Sequence, residues 1–154
     1  MISVAASGSV GQWPPGDPTW WWSLDVAEPT KPDDFYIANF SSREKPDQDL
    51  DVAAPGVWTV GPYQVNSGHW DYYFLAGTSM AAPHVAGIVA LMAQKYPVLT
   101  APHAESILEG SAIYLAPGSR AVRLPSGATL VHSWDADATG AGLATADAAL
   151  AATP

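Results

Sequence analysis

Gly77-Thr78-Ser79-Met80-Ala81-Ala82-Pro83-His84-Val85-Ala86-Gly87 opens the most clearly periodic segment of the 154-residue sequence. Val85, Ile88, Val89 and Met92 recur at helical spacing, and no charge stands between Ser79 and Lys95. A helix over Ser79–Tyr96 is predicted, about 27 Å long at 1.5 Å per residue. Thr78 or Ser79 supplies its cap. Apolar residues on all sides predict a helix buried all round. Gly87 lets another backbone come close, Pro83 falls near the end of the first turn, and Lys95 suits the C-terminal dipole.

Upstream of this helix, Tyr72–Leu75 reads as a strand and Gly61–Trp70 as a loop. Leu50–Ala54 is a short strand ended by Pro55-Gly56, with Val57–Val60 as a possible extension. Phe35–Phe40 alternates as a strand, and Ser41–Asp49 is a polar connection. Met1–Ala6 reads as a strand buried on both faces, the pattern of a parallel sheet, and its abrupt start suggests a preceding segment. Residues Gly8–Asp34 hold Trp13, Trp20, Trp21 and Trp22, four of the seven tryptophans, with no regular period. They read as a long surface excursion. Its rings are expected to pack on the domain itself, the alternative being a docking patch. Downstream, Thr100–Glu109 forms a second helix stopped by Gly110. Ala121–Leu124 and Thr129–His132 form a hairpin, and Thr145–Ala152 a terminal helix.

One domain fits this length. Apolar residues make up 48% and charged residues 14%, which excludes a disordered polyelectrolyte. Six basic against fifteen acidic residues give a net charge of −9, a poor match for nucleic acid or an anionic membrane surface. The absence of cysteine removes disulfides and thiolate metal sites. Val85–Ala93 is too short to span a bilayer, and no signal-peptide pattern opens the sequence.

Ser79 stands where a strand hands over to the helix. First-turn amides lack intrahelical acceptors, and the dipole makes the site electropositive. A nucleophilic hydroxyl is held rigidly there, and the Ser79 N–H is placed to donate to an oxyanion. Gly77 leaves room for a substrate backbone. Taken alone, the same position suits a plain capping serine. His84 is the nearest histidine, but five helical residues turn it about 140° away from Ser79. His69, with Asp71 nearby, reads as a surface loop residue, and His103 and His132 as structural or solvated.

The whole eleven-residue stretch from Gly77 to Gly87 resembles the nucleophile motif of the subtilisin family of serine proteases. Further segments agree in family order: Ile2–Ala6, Ala38–Ser42, Asp51–Val57, and Gly140–Leu143 with Ala146–Ala149. The resemblance spans the chain, interrupted by Gly8–Asp34 and by a stretch near Arg120–Asp137. It implies a serine endopeptidase acting on protein or peptide substrates, secreted, with Ser79 as the catalytic residue. The implied fold is α/β, the C-terminal part of a three-layer α/β/α sandwich with a mostly parallel sheet. Residues 1–154 would form somewhat under half of a catalytic domain, with a Trp/Pro-rich insertion at about 8–34.

The family triad runs Asp, His, Ser in chain order. Its D-T/S-G and H-G-T motifs are absent from this sequence. The base, its carboxylate and the oxyanion asparagine would therefore come from an N-terminal segment, and the chain alone is expected to be inactive. No cofactor is expected. Asp51 matches a position near which relatives bind a cation, but hydrogen bonding or surface charge accounts for it, and no metal is claimed. The competing reading is a non-catalytic binding or structural module that works through its tryptophan-rich excursion.

Overall fold

The computed structural model of the chain describes residues 1–13 and 31–154. Its centre is a three-stranded sheet in the order β2-β1-β3, with β1 at Val4–Ser9, β2 at Phe35–Ile37 and β3 at Val52–Pro55. β1 runs parallel to β3, with Val4 opposite Val52 and Ala6 opposite Ala54. It runs antiparallel to β2, with Ser7 opposite Ile37. Small residues line this sheet: Ala5, Ala6, Ala53 and Ala54 are all fully buried. That allows α1, Thr78–Lys95, to lie close over β1 and β3. Two further α-helices lie among the described residues, α2 at Ala101–Ser111 and α3 at Ala146–Ala152, and α3 packs on both α1 and α2.

The remaining strands form two antiparallel hairpins. β4, Thr59–Asn66, pairs with β5, His69–Leu75. β6, Gly118–Arg123, pairs with β7, Thr129–Trp134, as the sequence predicts for that hairpin. The expected mostly parallel sheet is not what the described residues form. Among the named strands only β1 and β3 pair in parallel, and the other pairings are antiparallel. In β4–β5 and β6–β7 this follows from the tight turn, after which a returning strand can only be antiparallel.

Other expectations shift. β1 begins at Val4 and continues through Gly8 and Ser9, so the excursion starts later than residue 8. Its base is closed by the Val10 amide donating to the Asp34 carbonyl at 2.8 Å. Of its tryptophans, Trp13 is buried and packs edge-on against Trp58 and Phe74, at 5.4 and 5.1 Å between ring centroids. This ring thus packs on the domain itself, whereas Trp20, Trp21 and Trp22 lie outside the described residues. Gly61–Trp70, expected as a loop, is most of the β4–β5 hairpin, which turns at Ser67-Gly68 with Gly68 at φ +78°. Gly110 lies inside α2 rather than stopping it.

The largest departure concerns α1. Only Ala81, Val85, Ile88 and Met92 are buried, a single stripe at 3–4-residue spacing. Ala82, Ala86 and Leu91 are exposed although apolar. The helix is buried on one side because the chain supplies one sheet face for it to cover.

Candidate active site

Ser79 occupies the second position of α1, and its residue as a whole is exposed. The cap is Gly77, not Thr78 or Ser79, and no side chain caps the helix. Its φ of 165° is ordinary extended backbone. The capping account of Ser79 therefore fails, and among the described residues its hydroxyl has no hydrogen-bond partner. Pro83 lies a turn and a half into the helix. Its ring removes the N–H that would otherwise bond the Ser79 carbonyl four residues back.

The start of the helix is seated by β3. The Gly77 amide donates to the Gly56 carbonyl at 2.8 Å, and the Gly56 amide donates to Ser7 at 2.8 Å. A Cβ on Gly56 would lie 2.7 Å from the Ala6 side chain and 2.9 Å from the Gly77 carbonyl. Only glycine lets these three segments meet, and their meeting fixes where Ser79 stands. In front of the serine is an open cavity of about 290 Å³ lined by Thr59, Ser79, Met80, Pro83 and His84. Thr59 is a wall residue that the sequence does not single out, because nothing in its local pattern brings it across to the helix.

None of the four histidines is placed as a base for Ser79. His84 Nδ1 lies 2.8 Å from the Met80 carbonyl oxygen, to which it donates. Its side chain is thus tied to its own helix. His69 begins the exposed strand β5. His103 packs edge-on against Tyr96 at 6.0 Å. His132 is buried, stacked on Tyr36 at 4.5 Å, with Nδ1 accepting from the Asn39 amide at 3.1 Å. Burial holds its pKa below the ordinary histidine value.

Asp51 is buried at the start of β3 and accepts from both the amide and the hydroxyl of Ser3, the latter at 2.9 Å. Hydrogen bonding thus accounts for this carboxylate. Glu105 and Glu109, one turn apart on α2, bring carboxylate oxygens within 4.8 Å of that of Asp51. Among the described residues these three are the carboxylates grouped closely enough to hold a cation. Desolvation, then the charges of Asp51, Glu105 and Asp49, raise the pKa of Glu109.

The sequence profile of the Subtilase family, peptidase S8, matches residues 1–146. The chain belongs to the subtilase family. Thermitase of Thermoactinomyces vulgaris is 36% identical over 94 residues, covering 61% of this subtilase chain and 31% of thermitase. Fervidolysin of Fervidobacterium pennivorans is 36% identical over 132 residues, covering 75% of the chain and 16% of fervidolysin. The crystal structure of fervidolysin, described as a keratinolytic enzyme related to subtilisin, superposes with a TM-score of 0.58 at 31% identity. It covers 98% of this chain and 19% of that one. A protease of Pseudoalteromonas arctica superposes with a TM-score of 0.57 at 30% identity, over 77% of this chain and 32% of that one. The subtilase described here thus spans less than a third of the length of these relatives. These likenesses support an α/β subtilisin-like fold. No helix among the described residues is long and apolar enough to cross a membrane.

Proposed function

We propose that this chain is the C-terminal part of the catalytic domain of a secreted serine endopeptidase, and that Ser79 is its nucleophile. The observation that carries the reading is the Ser79 hydroxyl, unpartnered on an exposed residue at a helix start that Gly56 and Gly77 fix from below. The hydroxyl attacks the carbonyl of a peptide bond lying along the cavity. The oxyanion formed accepts from the Ser79 N–H, which the first helical turn leaves without an intrahelical acceptor. Collapse of that intermediate expels the amine and leaves an acyl group on Ser79 Oγ, which water then hydrolyses.

A base must lie within hydrogen-bond reach of the hydroxyl, and the four histidines of this chain are engaged elsewhere or sit elsewhere. The base, its orienting carboxylate and a second oxyanion donor therefore belong to a segment outside these 154 residues. That segment also covers the exposed apolar side of α1, completing the three-layer sandwich and making the sheet mostly parallel. Alongside Ala82, Ala86 and Val89 the structure has an open cavity of about 370 Å³, also lined by Ile2 and Val4. An apolar recess of this kind suits burial against another layer.

The test joins the chain to a segment bearing D-T/S-G and H-G-T and measures hydrolysis of an unfolded protein. Ser79→Ala is expected to lower kcat by about 10⁶, the scale known for the nucleophile of subtilisin. An unchanged rate would remove Ser79 from the mechanism, and no activity in either form would favour a binding module.

A further inference from the structure

The β4–β5 hairpin leads away from the Ser79 cavity, and one of its faces is chemically distinctive. The register places Thr59 opposite Leu75, Gly61 opposite Tyr73 and Tyr63 opposite Asp71. Side chains alternate along a strand, so these residues share one face. Tyr63, Tyr73 and Leu75 are 56%, 36% and 42% exposed, and Asp71 is exposed too. Tyr63 and Tyr73 meet edge to face at 5.8 Å, an arrangement that favours holding the two rings together. A Cβ on Gly61, directly across from Tyr73, would meet nothing within 4 Å, so a slot stands open beside the ring.

Charge selects the occupant. Asp71 accepts the Tyr72 amide through Oδ1 at 2.8 Å, an ordinary local turn bond that leaves its charge in place. No lysine or arginine occurs between Thr59 and Gln94, in a chain of net charge −9. Two tyrosine faces beside an unneutralised carboxylate suit an ammonium or guanidinium group. Thr59 belongs both to this face and to the wall of the Ser79 cavity, so the two surfaces are continuous. From Thr59 to Tyr63 is four residues, about 13 Å of strand, the reach of about four residues of an extended peptide.

We infer that the hairpin face of Tyr63, Asp71 and Tyr73 is a substrate exosite that takes a lysine or arginine side chain about four residues from the bond attacked at Ser79. It rests on the proposed peptidase reading, and adds to it a preference set outside the reacting centre. The recognised side chain lies over the rings with its charge toward Asp71, while Gly61 leaves space for the peptide backbone.

The experiment uses the longer protease carrying this chain, with Ser79→Ala so that peptides bind without being cut. Fluorescence anisotropy compares ten-residue peptides that carry lysine or glutamate four residues to either side of the central bond. The lysine peptide on one side is expected to bind about tenfold more tightly than its glutamate counterpart. Asp71→Asn and Tyr73→Ala should each cut that ratio to about threefold or less. Equal binding of lysine and glutamate peptides on both sides would overturn the exosite, as would a preference that survives both substitutions. Because binding is read without chemistry, failure of the nucleophile reading is separable. It would leave the lysine preference in place while Ser79→Ala left the rate of hydrolysis unchanged, or while neither form hydrolysed the peptide.

Discussion

A single hydroxyl carries the chemistry proposed for this subtilase, and its setting is built by glycines that carry none. Gly56 admits the backbone of Gly77, and Gly142 plays a similar part at the far edge of the sheet. Gly142 sits at φ +131°, and a Cβ there would lie 2.1 Å from the Ile113 carbonyl oxygen. Its own carbonyl accepts from the Ala53 amide at 2.7 Å. Gly142→Ala should destabilise the assembled catalytic domain by about 2–4 kcal/mol, because it combines a strained backbone with a backbone clash. Urea denaturation measures this, and a change within about 0.5 kcal/mol would contradict the packing described. The place of Ser79 at a helix start is legible from its neighbours, because a strand-to-helix junction has a local signature. The walls of its cavity are less so. Met80, Pro83 and His84 ride on the same helix, whereas Thr59 arrives from twenty residues upstream through a hairpin whose pairing no local pattern specifies.

At the scale of elements, helix starts are legible in the sequence, whereas helix burial and strand ends are not. α2 and α3 start at Ala101 and Ala146, after Thr100 and Thr145, since caps and prolines mark helix starts in the sequence itself. The Gly61–Asn66 part of β4 reads as loop because Gly61, Pro62 and a polar stretch interrupt alternation, yet a hairpin supplies each strand with its partner. The β6–β7 hairpin is anchored to the sheet by tertiary bonds that sequence cannot show. Asn39 donates through Nδ2 to the Val131 carbonyl at 3.0 Å and accepts from the Ser133 amide at 3.0 Å. Its own amide donates to His132 Nδ1, so that nitrogen must stay unprotonated for the bond to hold. The charged groups of this hairpin are Arg120, opposite His132 and paired with Asp33 at 2.9 Å, and Arg123 at the end of β6, with Arg43 nearby donating to the Ser41 carbonyl at 2.8 Å. All three are cations, and none offers His132 a counter-charge.

The consequence is a pH dependence of stability. Burial lowers the folded-state pKa of His132 below its ordinary 6.5. The unfolded chain therefore binds a proton first as pH falls. The stability contribution is whole above about pH 6.5, declines below it, and stops declining once the folded-state imidazole also titrates. Thermal melts of the assembled domain should show this loss on acidification, and His132→Asn, whose Oδ1 can accept the Asn39 amide, should flatten that part of the profile. A wild-type and variant pair with the same slope below pH 6.5 would exclude His132 as its source.

The molecule as a whole presents an imbalance between what it buries and what it leaves open. α1 turns one stripe to the sheet while Ala82, Ala86 and Leu91 face outward, Leu91 at 44% exposure. Apolar surface left in water forgoes about 25 cal/mol per Å² of stabilisation. The isolated chain is therefore expected to aggregate or to melt over a broad range, as followed by calorimetry and light scattering. A sharp two-state transition of a monomer would contradict this. The sequence predicted α1 as buried all round, and that reading fits a helix with a layer on each side better than the single layer this chain provides. The same division governs chemistry, with the proposed nucleophile in this chain and its base outside it.

Fluorophosphonate labelling followed by peptide mass mapping tests that division most directly. The 154-residue chain alone should remain unlabelled, and the chain joined to its N-terminal catalytic segment should carry the label on Ser79. Labelling of the isolated chain at Ser79 would contradict the assignment of the base to another segment. An unlabelled Ser79 in the joined protein would contradict the nucleophile itself.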